Sequence, residues 1–499
     1  MEKQLIIRIT EKDNVAVALQ PLQAGQEVSL NGQSIILKND IPFGHKIALQ
    51  DFQLGDHIIK YGQPIGHAKA PIALGEHIHT HNLKTNLDGL LEYSYQPQEN
   101  PAAQTAKHAD ASFMGYVRTD GQVGVRNEIW IIPTVGCVNT TANLLAKAAA
   151  EKFKGKVDGV YAYTHNMGCS QLGTDHRRTQ EILKGLIRHP NAGGVLVLSL
   201  GCENNNLDNF KPVLGDIDPQ RVKFLVTQDV TDEYEAGMKL LEELTDYASS
   251  FKRQSVPASK LVLGFKCGGS DAFSGITANP LCGRINDLLV SLGGTTILTE
   301  VPEMFGAETL LMKRAVSKEV FDKTVHLIND FKSYFTRYGQ TIYENPSPGN
   351  KKGGISSLEE KSLGCTQKGG HAPVVDVLNY GQQAVKNGLN LLIGPGNDQV
   401  SCTNLVASGA QLVLFTTGRG NPFGSPVPTV KIATNTGLAT RKPHWIDFNA
   451  GQILEGISFE QATEKLFEQL LNIASGREQT NNEKFGYKEI SVFRDGVIL

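Results

Sequence analysis

Residues 129–153, IWIIPTVGCVNTTANLLAKAAAEKF, join an apolar run, a turn at Gly136 and Cys137, and a helix-like run that begins at Asn139. The strand part of this pattern recurs as DGVYAYTH, GGVLVLSLG and RVKFLVTQ, and the last of these is followed by the helical run DEYEAGMKLLEEL. Short apolar strands that alternate with helices are typical of βαβ units. The pattern therefore predicts α/β structure with a largely parallel sheet.

A second series of strand-like runs occupies the C-terminal half of the chain. Its members are LVLGF, TTILTEV, PVVDVL, LNLLIG, QLVLFTTG, TVKIAT and HWIDF. Several of these runs end in polar, glycine-rich turns. Because ligands of open parallel sheets bind outside the carboxyl ends of the strands, we expect the functional site at these turns.

The N-terminal residues have a different pattern, in which short β segments such as VAVAL, QEVSL and HKIAL are separated by turn residues. This pattern predicts a small all-β domain over residues 1–94. Residues 95–112, rich in Gln, Pro and Ala, predict an extended linker. We expect a first α/β domain at 113–255, which could carry dimer contacts, and a C-terminal α/β domain at 256–499.

The bulk composition is that of an ordinary folded protein, with 40% hydrophobic residues, 20% charged residues and a formal net charge of −3 over 499 residues. No basic run indicates a nucleic-acid partner, and no apolar run approaches the roughly 20 residues that cross a bilayer. The first residues lack a signal-peptide core, so a cytoplasmic location is expected. The cysteines are seven, an odd number spread along a long chain, which favours free thiols over a disulfide framework.

Thiol, imidazole and carboxylate groups gather where the predicted strands end. The segments are THNMGCSQ, LGCENNN, KCGGSD, LTEVPEMFGAE, ENPSPGNKKGG and TTGRG. Together these ligand types suit a first-row metal such as Fe(II), Mn(II) or Zn(II). No C-x-x-C or H-E-x-x-H spacing is present, so the ligands would have to come from different strands. The alternative for each polar residue is a turn or helix-cap role.

Two further motifs are less specific. GRGNPFG, at residues 418–424, lacks the glycine spacing of a dinucleotide loop, and no P-loop is present, so a nucleotide cofactor is not expected. His77, His79 and His81 lie two apart and would share one face of a strand, either as a solvated edge or as a site for a metal or an acidic ligand.

Long strings in the sequence resemble the altronate/galactarate dehydratase family. They include GVRNEIWIIPTVGCVN, KCGGSDAFSGITANP, TEVPEMFGAE, ENPSPGNKKGG and FTTGRGNPFG, and the resemblance runs from about Asp13 to Leu499. It implies a β-clip (SAF) domain, a linker, and two α/β regions of which the last is Rossmann-like. It also implies dependence on Fe(2+), with Mn(2+) as a second option, inactivation by oxidation, and a homodimer.

GEHIHTHN and LGCTQK resemble the altronate branch of that family. The implied reaction is the conversion of D-altronate to 2-dehydro-3-deoxy-D-gluconate and water, through removal of the C2 proton and loss of the C3 hydroxyl. A metal would stabilise the enediolate as a Lewis acid.

We assign roles to individual residues as hypotheses on this basis. The predicted catalytic residues are His165, Lys431 and His45; the predicted substrate-binding residues are Lys46, Arg126, Asn127, Ser270, Asn350 and Arg419; the predicted metal ligands are Cys169, Cys202, Glu203, Cys267 and Asp271. For His165 the alternative is a hydrogen-bonded core histidine. Three cysteines from separate strands could instead hold an iron–sulfur cluster with one open iron.

Other functions remain open from the sequence. The closest alternative is a galactarate or other sugar-acid dehydratase of the same family. A nicotinamide-dependent dehydrogenase would also fit an α/β sheet but lacks its fingerprint. A non-catalytic sugar-acid binding protein would have little use for several thiols and carboxylates at strand ends.

Overall fold

The computed structural model describes residues 4–98 and 108–498, and these residues form three regions along the chain. Part of the predicted linker, residues 99–107, lies outside the described residues. Residues 4–98 form the N-terminal β region, residues 108–257 the middle region, and residues 258–498 the C-terminal region. Among the described residues, no helix combines the length and the apolar character needed to cross a bilayer.

The N-terminal β region consists of short antiparallel strands in three small sheets, which confirms the predicted all-β character. The strands are β1 (Ile6–Ile7), β2 (Val15–Ala18), β3 (Glu27–Leu30), β4 (Gln33–Ile36), β5 (Lys46–Ala48), β6 (His57–Lys60), β7 (Gln63–Ala68), β8 (His77–Ile78) and β9 (Leu83–Lys84). Tight turns keep them short. At Gly75, for example, φ is +82° and a Cβ atom would collide with the Ile36 carbonyl, so only glycine fits.

The middle region combines a small antiparallel sheet with a four-stranded parallel sheet. Its elements are β10 (Ser112–Val117), β11 (Val123–Gly124), β12 (Glu128–Pro133), α1 (Asn139–Lys152), β13 (Gly159–Ala162), α2 (Gly173–Arg188), β14 (Ala192–Ser199), α3 (Leu207–Leu214), β15 (Val222–Val226), α4 (Glu233–Ser249) and β16 (Arg253–Pro257). The parallel sheet has the order β13-β12-β14-β15. The strands β12 and β14 are buried along their whole length, which indicates that both faces of this sheet are covered.

The C-terminal region is built on a seven-stranded sheet in which every pairing is parallel. Its strands are β17 (Val262–Cys267), β18 (Thr295–Leu298), β19 (Val374–Leu378), β20 (Gly388–Leu392), β21 (Leu412–Thr417), β22 (Thr429–Ala433) and β23 (Phe448–Asn449). Its helices are α5 (Ala278–Ser291), α6 (Glu308–Met312), α7 (Lys318–Arg337), α8 (Pro348–Lys352), α9 (Leu358–Cys365), α10 (Asp398–Ala407), α11 (Thr436–Arg441), α12 (Phe459–Ala474) and α13 (Asn481–Lys484).

One predicted strand of this region is wrong in extent. HWIDF was expected to be a strand throughout, but β23 starts only at Phe448. The preceding residues turn instead, and the amide of Trp445 donates to the carbonyl of Lys442 at 2.9 Å.

Each parallel sheet has a point at which the strand order reverses. In the C-terminal sheet, of order β19-β20-β18-β17-β21-β22-β23, the chain leaves β17 toward β18 on one side and later returns as β21 on the other. In the middle region, β12 has β13 on one side and β14 on the other. The loops diverge at such a point, which opens a crevice outside the carboxyl ends of the strands.

The N-terminal β region docks on the C-terminal region through buried charges. The Nζ atoms of Lys46 and Lys60 lie 2.8 and 2.7 Å from the two carboxylate oxygens of Glu360 in α9. All three side chains are at most 1% exposed. The Lys46–Lys60–Glu360 triad therefore joins residues that are some three hundred positions apart in the chain.

Candidate active site

A cavity of about 440 Å³ opens beside the carboxyl end of β17, where the strand order of the seven-stranded sheet reverses. Its wall comes from β17, the turn after β18, and helices α7, α8, α9 and α10. The polar side chains that line it include Cys267, Glu303, Asn345, Asn350, Lys361 and Asp398. The position matches the crevice in which ligands of open α/β sheets bind, so we treat it as the candidate active site.

Two buried thiols and a carboxylate meet at the floor of this cavity. The Sγ atoms of Cys267 and Cys365 are 3.2 Å apart. Oε2 of Glu303 accepts from them at 3.1 and 3.2 Å. Within the described residues these three side chains form a group whose ligand atoms all lie within 4.8 Å of one another. Thiolates with a carboxylate are a donor set that suits a borderline first-row metal.

Lys361 is the cationic side chain of the cavity wall. Its Nζ lies 2.7 Å from Oε1 of Glu303 and donates to Oδ1 of Asn345 at 3.1 Å. The side chain is 8% exposed, so its charge acts in a mostly dehydrated setting. It sits one turn before Cys365 on α9, and this position aims the ammonium group at the cavity.

Two more lysines lie beneath the cavity. Nζ of Lys368 donates to Sγ of Cys267 at 2.8 Å and lies 3.3 Å from Glu300. Nζ of Lys266 pairs with Oδ1 of Asp398 at 2.9 Å and also contacts Glu300. Both lysine side chains are at most 1% exposed.

The acids and bases of this cluster fix one another's charges. Burial alone would lower the pKa of Lys266 and Lys368, but the surrounding acids outweigh it and raise both pKa values well above normal. Burial would likewise raise the pKa of Glu303, but Lys361 and Lys266 lower it well below its usual range. The hydrogen bond with Cys267, together with burial, raises the pKa of Cys365. The site therefore keeps Lys266 and Lys368 as ammonium groups, each paired with buried acids.

The backbone at Glu300 is strained. Its φ and ψ are +74° and +61°, in the left-handed region that a residue with a side chain rarely adopts. Such a conformation costs on the order of 1–3 kcal/mol and concentrates at functional sites. Here it places the carboxylate of Glu300 against the Cys267 amide, which donates to Oε2 at 3.0 Å.

Several predicted residues do lie at this site. Cys267 and Asn350 line the cavity. Asn350 donates from Nδ2 to the carbonyl of Ser270 at 2.8 Å, and the buried Oγ of Ser270 has no hydrogen-bond partner among the described residues. Arg419 follows β21 at the switch point and is exposed.

The predicted metal ligands do not form one site, and that prediction is wrong as a single set. Only Cys267 belongs to the thiol–carboxylate group. Asp271 has a structural role, because its carboxylate accepts hydrogen bonds from Thr434, Asn435 and the amide of Phe273.

The other three predicted ligands lie in the middle region. Cys169 and Cys202 are exposed there. Glu203 is 1% exposed and accepts from Ser199 Oγ at 2.6 Å and the Gly201 amide at 2.7 Å. Its carboxylate therefore holds the turn after β14 rather than a metal.

The structure gives His165 the alternative role. Its Nε2 is 2.8 Å from the carbonyl of Pro133, and its Nδ1 is 3.2 Å from the amide of Met167. Nε2 must donate and Nδ1 must accept, so both ring nitrogens are occupied by main chain. Burial lowers the pKa of the ring, which keeps it neutral. No nitrogen is left for proton transfer in this geometry.

His45 lies outside the cavity wall, in a cluster of imidazoles. Its Nδ1 is 3.0 Å from Nε2 of His77, and its Nε2 is 3.3 Å from the Lys352 carbonyl. The rings of His79 and His81 lie within 5.3 Å of those of His45 or His77. Burial and the neighbouring imidazoles lower the pKa of His77 to about 3. The pKa values of His45 and His79 are lowered as well, so these three rings are neutral near pH 7, and His45 and His79 contact the carbonyls of Lys352 and Lys351 in α8.

Three predicted substrate-binding residues are structural instead. Lys46 belongs to the triad on Glu360. Arg126 pairs with Glu483 at 2.6 Å. Asn127 accepts from Arg118 at 2.8 Å and donates to the Ala248 carbonyl at 2.8 Å. Each group is paired and buried, so none faces a ligand.

Lys431 is buried one layer behind the cavity. Its Nζ donates to the Asn421 carbonyl at 2.6 Å, and Asn421 donates to the cavity residue Asp398 at 2.6 Å. Burial lowers the pKa of Lys431 to about 8.

Sequence reasoning did not assign Glu303, Cys365, Lys266, Lys361 or Lys368 to the site. A signal existed for two of them, since Glu303 follows a predicted strand and Cys365 is flanked by glycine. Lys266 and Lys368 also lie in quoted segments, KCGGSD and LGCTQK, but their acidic partners lie on distant parts of the chain and could not be assigned.

Family models identify the class of protein to which this site belongs. The models match residues 4–86 (altronate/galactarate dehydratase SAF domain), 115–249 (D-galactarate dehydratase/altronate hydrolase, second domain) and 258–498 (D-galactarate/altronate dehydratase, C-terminal). The chain therefore belongs to the altronate/galactarate dehydratase family, and it is an enzyme of the hydro-lyase class.

Within the family, this chain is more similar to some members than to others. The chain is 54% identical to the altronate dehydratase of Bacillus subtilis (strain 168) and 51% identical to that of Escherichia coli (strain K12), over 99% of each chain. It is 34% identical to the galactarate dehydratase (L-threo-forming) of Escherichia coli (strain K12), over 98% of this chain and 96% of that one.

Proposed function

We propose that the protein dehydrates D-altronate to 2-dehydro-3-deoxy-D-gluconate. The observation that carries this proposal is the full-length identity of 54% and 51% to altronate dehydratases, against 34% to a galactarate dehydratase. The cavity agrees with it, because Lys361 is the one cationic side chain among the described residues that line it. Altronate carries one carboxylate, whereas galactarate carries two.

The residues of the cavity suit the chemistry of this reaction. Removal of the C2 proton puts negative charge on the substrate carboxylate, and preorganised positive groups in a dry site stabilise such charge. Lys361 faces the cavity and would bind that carboxylate, while Lys266 and Lys368 supply positive charge beneath it. Lys431 reaches the cavity only through Asn421 and Asp398, so its catalytic role stays a prediction from the sequence.

The order of the C-terminal sheet supports a Rossmann-like fold. Without the edge strand β19, the order β20-β18-β17-β21-β22-β23 corresponds to 3-2-1-4-5-6 in chain order. A homodimer stays a prediction from the family resemblance, and a cytoplasmic location stays a prediction from the composition of the first residues.

We propose that Cys267, Cys365 and Glu303 hold the divalent iron that the family resemblance implies. The donor set fits: the three ligand atoms converge within 4.8 Å, and thiolates favour Fe(II) over the harder Mn(II). When bound there, the ion would act as a Lewis acid beside the cavity.

Substrate choice tests the proposed activity. With Fe(II) and a reductant present, we expect formation of 2-keto acid from D-altronate with a kcat/KM roughly 100-fold above that for galactarate, whose second carboxylate finds no cation. The measurement is a kinetic panel of aldonates and aldarates. A preference for galactarate would reassign the substrate, and an absence of product from every sugar acid would refute the dehydratase function.

Iron binding to the protein tests the metal site. The double variant Cys267→Ser/Cys365→Ser is expected to lose about one iron per chain after anaerobic loading with Fe(II) alone, because serine is a poor ligand for soft metals. The matched control is Cys282→Ala, a buried cysteine outside the thiol–carboxylate group. Equal iron content in the double variant and the control would contradict this site.

A further inference from the structure

Three cysteines that the candidate active site does not use follow three neighbouring strands of the middle region. Cys137 follows β12, Cys169 follows β13 and Cys202 follows β14. All three are free and exposed, whereas the four other cysteines are buried. They gather at the carboxyl edge where the order β13-β12-β14 reverses, the position at which sheets of this order bind ligands.

The three cysteine loops are hydrogen-bonded to one another. The amide of Gly136 donates to the carbonyl of Met167 at 2.7 Å, which ties the first loop to the second. The amide of Asn204 donates to the carbonyl of Cys169 at 2.8 Å, which ties the second loop to the third. Asn205 donates to the Thr134 carbonyl at 3.2 Å, which ties the third loop to the first. The thiols are therefore mounted on one rigid frame.

The frame also presents positive dipole ends to these thiols. Helices α1, α2 and α3 begin at residues 139, 173 and 207, within five residues of the cysteine that precedes each one. The N-terminus of a helix favours negative charge. Three such ends beside three cysteines favour an anionic group bound there.

Buried polar atoms without partners mark the same place. Gln171, 8% exposed, has no hydrogen-bond partner for either Oε1 or Nε2 among the described residues. Asn205 is fully buried, and its Oδ1 is likewise unpartnered within the described chain. An orphaned buried polar group costs about 1–3 kcal/mol unless a ligand or water satisfies it. Both residues belong to the cysteine loops.

We infer that Cys137, Cys169 and Cys202 ligate an iron–sulfur cluster with one iron free of protein thiolate. Their sulfurs do not all lie within 4.8 Å of one another, which is wider than the spacing around a single ion with metal–sulfur bonds of about 2.3 Å. A cluster is held by thiolates that lie farther apart than those around a single ion. The sequence-based cluster hypothesis used Cys267 as third ligand; the structure replaces it with Cys137. The inference is independent of the activity proposed above.

Anaerobic reconstitution tests this cluster. The full-length protein is incubated with iron, sulfide and a thiol reductant, desalted, and assayed for iron, acid-labile sulfide and visible absorption. We expect about four sulfides per chain if the cluster is a cubane, with a broad absorption band near 400 nm. The variant Cys137→Ala/Cys169→Ala/Cys202→Ala should lose both signals.

Two controls keep the outcome clear. Because the three thiols are exposed, the triple variant is expected to keep the circular dichroism of the wild type, and the three single variants are assayed beside it. Cys267→Ser/Cys365→Ser should retain the sulfide and the absorption. Wild-type protein without labile sulfide, or a triple variant that keeps it, would overturn the cluster and leave the dehydratase proposal untouched. A loss confined to the Cys267 variant would overturn it as well.

Discussion

Replacement of Lys361 by methionine is expected to lower kcat/KM for altronate by about a thousandfold. Loss of one partner from a buried, hydrogen-bonded charge pair costs roughly 2–5 kcal/mol, and about 1.4 kcal/mol corresponds to a tenfold change in rate. The substitution removes two interactions. The substrate carboxylate loses its cation, and Glu303, 2.7 Å from the Lys361 ammonium group, loses its partner. Steady-state kinetics with altronate measures the effect.

The control for Lys361→Met is Lys332→Met. Lys332 is also a buried lysine, 1% exposed and 3.2 Å from Glu308, but it does not line the cavity. We expect this variant to lose stability while its kcat/KM stays within a few-fold of wild type. If both variants lost activity alike, the effect of Lys361→Met would be structural and the carboxylate-binding role would be disproved.

Replacement of Glu360 by glutamine is expected to destabilise the docking of the N-terminal β region by about 3–5 kcal/mol. The variant leaves Lys46 and Lys60 buried without a counter-charge, and breaking a buried pair in this way costs about that much. Urea denaturation, followed by fluorescence and by proteolysis, measures the change. The control is Glu319→Gln, whose carboxylate is 74% exposed and 3.0 Å from Lys323; such a surface pair contributes about 0–1 kcal/mol.

The pH dependence of stability gives a second readout for Glu360. Burial would raise its pKa, but Lys46 and Lys60 outweigh burial and lower the pKa to about 2, below the ordinary value of about 4.3. Because the folded-state pKa is depressed, the Glu360 carboxylate contributes its stability above about pH 4.3, and this contribution is lost as the pH falls toward 2. Glu360→Gln should lose this step. A wild-type-like pH profile in the variant would contradict the assignment.

The sequence predicted well those features that depend on neighbouring residues. Apolar runs that end at Gly136, Gly201 and Gly268 predicted the strand ends, since an apolar run followed by a flexible turn is a local pattern. Cys267 was placed at such an end, and the structure confirms that location.

The partners of each side chain were out of reach of sequence reasoning. Lys361 and Glu303 lie 58 positions apart, and only the packing of α9 against the turn after β18 brings them together. The same limit explains the wrong assignment of His165. Its position at a strand end is typical of a catalytic residue, but the carbonyl of Pro133 and the amide of Met167 occupy both ring nitrogens.

The Lys46–Lys60–Glu360 triad holds together two parts of the protein that are far apart in the sequence. Residues 4–98 are tied to α9 by buried charges, and Tyr93 adds a contact to Glu308 at 2.5 Å. The N-terminal β region and the remainder therefore carry the determinants of their own assembly, and a gene split between them could supply one working enzyme from two polypeptides.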